Sequence, residues 1–169
     1  MAVEVRRARP QEWAQARDLR LEMLANSPKA FIDTIATVER WDDDRWRTRL
    51  LSHLAPDSTT IGAVDVGGHW VGQACGRVFG NYEPPRAYLL SVYVTPRHRG
   101  TGLVKRLVDE VSGWARGMGH DALWLDVHQD ATAARAAYRR LGFTETGVTT
   151  PYANDESERE LEMVLRQLP

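Results

Sequence analysis

Two arginines and two glycines, Arg97, Arg99, Gly100 and Gly102, sit between an apolar run and a helix-like run in SVYVTPRHRGTGLVKRLVDEV, residues 91–111. Backbone N–H groups at a helix start have no intrahelical acceptor, and the aligned peptide dipoles place about half a positive charge there. An anion bound at that point gains hydrogen bonds and dipole energy together. Glycines let a bulky phosphate approach the main chain, and neighbouring arginines add fixed positive charge. The chemistry indicated is pyrophosphate binding; the structural alternative is a sharp strand-to-helix turn with solvated arginines. Spacing excludes two familiar phosphate loops. No G-x-x-x-x-G-K-[ST] occurs, and the residue three past Gly102 is Lys105, where a dinucleotide fingerprint needs a small residue.

What remains is R-x-x-G-x-G over Arg97–Gly102, after a strand and Pro96, and it resembles the acyl-CoA signature of the GNAT superfamily of N-acyltransferases. The downstream order is similar too: a long helix, the strand LWLDVH, and ATAARAAYRRLGF. The last resembles the family's A-x-x-x-Y-x-x-x-G-F element at Ala134, Tyr138, Gly142 and Phe143. The resemblance is specific over residues 88–146 and only topological over the first 85, where such enzymes usually bind the acceptor. It implies that the N–H groups from Arg99 through Val104, those of Gly100, Thr101, Gly102 and Leu103 included, receive the CoA pyrophosphate, with Arg97 and Arg99 in support. It further implies that Val92, Tyr93 and Val94 offer main-chain groups to the pantetheine arm and thioester, beside a gap where this strand parts from LWLDVH. Tyr138 would protonate the departing CoA thiolate. Two positions depart from the family pattern: Val104 stands where a small residue is common, and Ala131 where an asparagine is. Asp130 or Thr132 is expected to cap the helix in its place.

Without the resemblance, Tyr138 with Ala134 and Leu141 at helical spacing reads as core. The proton that leaves the acceptor needs a receiver, because a lysine-like amine with a pKa of about 10.4 is protonated at neutral pH, and exposing its lone pair costs roughly 4–5 kcal/mol. Glu83, before the central strand, and Asp126, on the facing strand, rank equally for that role, with His128 as a further candidate through water. Strand alternation puts Trp124, Asp126 and His128 on one face. Asp155, Glu156, Glu158, Glu160 and Glu162 form an acidic run that either draws in a cationic amine or is merely solvated. The five histidines include no H-x-x-x-H pair, so no metal is expected.

These residues require elements to hold them. VEVRRA alternates as a strand, Pro10 opens a helix with Trp13, Ala16, Leu19 and Met23 on one face, and Asp42–Asp44 cap a second with Trp46, Leu50 and Leu54 inward. Two strands flank Gly67-Gly68 as a hairpin. AYLLSVYV is a strand, residues 102–118 a helix with Leu103, Leu107, Val111, Trp114 and Met118 inward, ALWLDVH a buried strand, and residues 131–141 a short helix ended by Gly142. Phe143 starts another strand, TTPYANDESERE reads as a polar loop, and LEMVL closes the chain. The order is mixed α/β in one domain over residues 1–169, and the resemblance implies a mostly antiparallel central sheet flanked by helices, with a splayed central parallel pair.

Composition narrows the partners. The chain has 169 residues, 43% of them hydrophobic, and a formal charge of −1, which gives no bulk attraction to nucleic acid or an acidic membrane. All of the 22 basic residues except Lys29 and Lys105 are arginine, which favours local oxyanion contacts. Cys75 is the only cysteine, so neither an intrachain disulfide nor a thiolate-rich zinc site can form. No secretion signal or apolar membrane run is evident, and a cytoplasmic setting is the default. The expected function is transfer of an acetyl group from acetyl-CoA directly to a primary amine, on a small molecule or a peptide. The alternatives are a CoA-binding regulatory module without turnover, which Val104 and Ala131 favour, and a scaffold that uses the glycine turn only structurally. A homodimer is compatible with all three.

Overall fold

Alternating apolar residues in Val3–Arg7 form β1, and Pro10–Glu12 make one 3-10 turn before α1, Trp13–Asn26. The structure, a computed structural model, describes residues 2–169. After α1 come a four-residue α2 (Ile35–Val38) and α3 (Asp43–Ser52), whose first turn is capped by Asp42 accepting from the Arg45 amide at 2.8 Å. The strands are β2 (Ser58–Asp65), β3 (Trp70–Phe79), β4 (Arg86–Val94), β5 (Ala122–His128), β6 (Thr144–Tyr152) and β7 (Asp155–Arg166), and the two later helices are α4 (Leu103–Gly117) and α5 (Thr132–Arg140). They build one seven-stranded sheet in the order β1-β2-β3-β4-β5-β7-β6. Among the described residues only β4 and β5 pair in parallel, so the mixed, mostly antiparallel sheet with flanking helices is as expected.

β2 and β3 are buried on both faces because each face carries a helical layer. On one side Leu103, Leu107, Val108 and Val111 of α4 pack on Ala74, Leu89 and Leu123; on the other, Leu19, Met23, Trp46 and Leu50 of α1 and α3 close over Val64, Trp70 and Tyr93. Gly76 is the close point of the first contact: a Cβ there would lie 2.5 Å from the Trp114 ring.

The decisive irregularity is in β4. Gln73 pairs with Tyr93 but Cys75 with Leu90, so β4 carries one extra residue, and Ser91 takes a φ of +52°. The bulge turns β4 away from β5, whose pairing is confined to Ala87↔Leu123 and Tyr88↔Trp124. Beyond Tyr88 the sheet is open.

Three sequence expectations change. The stretch TTPYANDESERE, residues 149–160, is not a loop: it completes β6 and opens β7 in a long hairpin, since a sheet with one solvated face accepts charged residues at every second position. Met118 is 43% exposed rather than inward, because the helix ends at Gly117 and Met118 turns off its apolar face. Neither Asp130 nor Thr132 caps α5; Ala131 is the N-cap, without a side-chain hydrogen bond. The hairpin at Gly67-Gly68 is present, with Gly68 at φ +82°, but its loop is held by Asp65, whose carboxylate accepts from the Gly67 and His69 amides.

Candidate active site

A cleft of about 610 Å³ opens on the α4 side of the sheet, between β4, the start of α4 and α5. Its floor at α4 is set by two left-handed glycines, Gly100 at φ +74° and Gly102 at φ +80°; a Cβ at either would meet nothing within 4 Å, so the space above them is empty. The amides of residues 100–105 donate to no acceptor among the described residues, whereas the Arg99 amide is taken by the Pro96 carbonyl at 3.3 Å. The run of free donors therefore starts one residue later than the sequence suggests and reaches Lys105. Successive unpaired amides in this geometry form an anion-binding concavity, and the α4 dipole adds to it.

The second wall is β4 past the bulge: Val92, Tyr93 and Val94 line the cleft where β5 has parted. The third is α5. Its alanines, Ala133, Ala134 and Ala137, keep the wall low, and Tyr138 stands beside them, its ring edge-on to Phe143 at 5.6 Å. Burial pushes the Tyr138 phenol above its ordinary value of about 10, with no charge nearby to pull it back, so it keeps its proton throughout the neutral range.

The other face of the gap is different in character. Asp126 lies two residues past the last β4–β5 pair, on the side away from α4. It keeps solvent contact, yet partial burial first, and then the carboxylates of Glu160 and Glu162, push it up to about 6, against the pull of Arg86. Arg86 itself donates to Glu162 at 3.2 Å and lies over the Trp124 ring. At the far end of the strand, His128 is buried; its Nδ1 accepts from the Asp130 amide at 3.1 Å, which leaves Nε2–H to donate to Glu158 at 2.6 Å. Glu158 also binds Lys29 at 2.7 Å. His128, Asp130 and Glu158 have the spacing of metal ligands; the hydrogen bonds of His128 and Glu158 also fasten the β6–β7 hairpin to β5 and the segment after α1.

Of the residues singled out from sequence, Tyr138, Val92, Tyr93, Val94, Arg99, Gly100, Gly102, Leu103 and Val104 come together in the cleft wall. Arg97, Thr101, Glu83 and Asp126 do not. Arg97 points to solvent, and the Thr101 hydroxyl donates to the His98 carbonyl at 2.6 Å, bracing the loop. Glu83 is exposed on the β3–β4 connection, and Asp126 faces the opposite side of the sheet. Arg99 donates through Nε to the Val94 carbonyl at 3.1 Å, which ties the glycine loop to β4. Sequence reasoning missed Ser27, Ala30 and Phe31, which form the rim of the cleft after α1, and His98, whose Nδ1 pairs with Thr95 at 3.0 Å. The break at Asn26-Ser27-Pro28 marked a helix end, but nothing local tells which wall the following residues reach.

Residues 14–143 match the family model described as the acetyltransferase (GNAT) family. The N-alpha-acetyltransferase RimI of Mycobacterium tuberculosis is 31% identical over 112 residues, 65% of this chain and 68% of that protein. Streptothricin acetyltransferase of Streptomyces lavendulae is 34% identical over 105 residues, 62% of this chain and only 54% of the relative's length. Among solved structures, a phosphinothricin acetyltransferase from Sinorhizobium meliloti in complex with AcCoA superposes with a TM-score of 0.74 at 20% identity, covering 99% of this chain and 89% of that one.

Proposed function

Because this chain belongs to the GNAT family of acetyltransferases, we propose that it transfers the acetyl group of acetyl-CoA directly to a primary amine, without a covalent acyl-enzyme. The observation that carries this reading is the shared cleft: unpaired amides at 100–105, the open edge of β4 at Val92–Val94 and the Tyr138 phenol face one space. The cradle takes the pyrophosphate, Lys105 and Arg140 flank it, and the β4 main chain orients the thioester.

The acceptor enters from the face of Asp126. The arriving ammonium first gives one proton to solvent; as the resulting amine passes a second through water to the Asp126 carboxylate, the nitrogen forms a bond to the thioester carbon and the carbonyl oxygen takes the negative charge. Collapse of this tetrahedral intermediate breaks the C–S bond, and the thiolate takes the proton of Tyr138, later restored from solvent. Positioning two reactants on either side of one gap supplies the larger part of the rate, since it makes a bimolecular step effectively unimolecular. Asp126, Glu160 and Glu162, outnumbering Arg86 and Arg166 on the same face, favour an acceptor that arrives as a cation.

A binding-only module is the second reading, and the specific observation for it is that Val104 fills part of the cleft wall while α5 begins at an uncapped Ala131. Turnover separates the two. Pools of small amines and peptides incubated with protein and acetyl-CoA, and read by mass spectrometry, should contain an acceptor that gains an acetyl group; acetyl-CoA binding with no acetylated product in either pool would leave the binding module.

A further inference from the structure

A second, smaller cavity of about 30 Å³ lies beneath α1 and α3 against β2 and β3, with Trp13 and Trp46 as its apolar wall. Arg20, from the middle of α1, is only 6% exposed there. Its Nη2 donates to Asp33 at 2.7 Å and its Nη1 to the Ser91 hydroxyl at 3.3 Å, but its Nε, buried in the same place, has no partner among the described residues. Arg49 lines the cavity from α3; it donates to His53 Nε2 at 3.1 Å and approaches Asp33 only to 3.8 Å. Arg77 is close by and donates to neutral oxygens alone, those of Ser58 and Ser52.

The charges do not balance. Arg20 and Arg49 share one carboxylate, Asp33, and Arg77 has no carboxylate partner among the described residues; Arg17 is engaged with Asp18 and Asp43. Burial first, and then the neighbouring Arg20, lower the Arg49 pKa; burial and Arg49 hold His53 down at about 4, so at neutral pH His53 has already given up its own charge. Cys75 is buried and kept as a thiol, which contributes no negative charge. A buried guanidinium N–H left idle on Arg20, beside an Arg49 whose nearest carboxylate is 3.8 Å away, is costly unless something occupies the adjoining space.

We propose that this cavity is a binding site for one small monoanion of the halide or carboxylate class, held by Arg20 Nε and Arg49. The volume admits such an ion or the head of a carboxylate and excludes a phosphate ester with its substituent. The site is coupled to the acyl-transfer gap through Arg20, whose other arm holds Ser91, the bulged residue of β4. The inference is independent of the proposed transfer reaction, and its main test needs no turnover.

The full chain is melted at constant ionic strength while sodium gluconate is replaced by sodium chloride, bromide or formate, and crystals are soaked in bromide. The expected result is a saturable rise in Tm with each small anion, and an anomalous bromide peak within hydrogen-bonding distance of Arg20 Nε. Arg49→Gln should remove the response, and Arg20→Lys, which keeps the charge but deletes the Nε donor, should weaken it at least several-fold. Equal melting curves in chloride and gluconate, water alone beside Arg20 Nε, or a bromide peak without a saturable Tm response (an adventitious ion only) would each overturn the site. Once an acceptor assay exists, a carboxylate-bearing amine and its carboxamide distinguish the source of the anion. Chloride raising KM for the carboxylate alone assigns the site to the acceptor's own carboxylate; chloride leaving both KM values unchanged assigns it to a free ion.

Discussion

Tyr138 and Asp126 stand on opposite faces of the sheet, on either side of the gap that begins where β4 leaves β5 after the Tyr88↔Trp124 pair. One is a phenol whose burial raises its pKa, the other a carboxyl raised to about 6 by partial burial and by Glu160 and Glu162. Two titratable groups with different environments are what a reaction needs if it takes a proton from an incoming amine and gives one to a leaving thiolate.

The cradle is tested by Gly100. Acetyl-CoA at a hundred times its dissociation constant should stabilise the native protein by about 2.7 kcal/mol. Gly100→Asp should abolish that shift by setting a carboxylate against the pyrophosphate. Gly100→Asn controls for the backbone, because asparagine tolerates a positive φ and carries no charge; it should retain most of the shift. Loss of the shift in both variants to the same degree would assign Gly100 to conformation rather than to the anion.

Asp126 predicts a pH signature. The rate with a saturating acceptor should show an acid limb near pH 6 that disappears in Asp126→Asn, together with most of the activity. The sign of the stability effect is opposite to that of a salt-bridged carboxylate. Below its ordinary pKa of about 3.9 the group is neutral in both folded and unfolded chains; as pH rises through 6 the folded state must carry an unfavourable charge. Asp126→Asn should therefore have the higher Tm at pH 8 and no advantage at pH 3.5. An acid limb that stays at the same pH in the variant would move the base elsewhere.

Packing between α4 and the sheet has its own test at Gly76. A methyl group there would lie 2.5 Å from one Trp114 ring carbon and 2.7 Å from another, so the ring must shift or the helix lift. Gly76→Ala should cost about 1–3 kcal/mol in denaturant melts. Combining it with Trp114→Leu should recover part of that loss, and an unchanged midpoint in the single variant would show that the helix has more room than the structure gives it.

The cradle and the α5 wall were legible because their signals are local. Glycines at positive φ, Pro96 and the 3.6-residue periods of α4 and α5 each declare themselves within a few residues. The gap was expected only from resemblance. Its cause, one extra residue at Ser91 between Gln73↔Tyr93 and Cys75↔Leu90, is a register relation between strands that no single strand encodes. The middle of the β6–β7 hairpin was misread because Glu156, Glu158 and Glu160 have low strand propensity alone; Leu161, Met163 and Leu165 on the other face hold β7 in the sheet. Nothing in the sequence singles out Arg20 on α1, because only the meeting of α1, α3 and the segment carrying Phe31 and Asp33 buries it.

The most direct measurement is kcat and acetyl-CoA affinity for the native protein and Tyr138→Phe across pH, with the acceptor found by screening. Phenylalanine keeps the ring against Phe143 and removes only the hydroxyl. If Tyr138 supplies the leaving-group proton, acetyl-CoA affinity should stay within about twofold while kcat falls by something like the 10²–10⁴ typical of a lost general acid, with the alkaline limb weakened. Equal kcat values in the two proteins would contradict the account, leaving Tyr138 as a packing residue and the thiolate to take its proton from water.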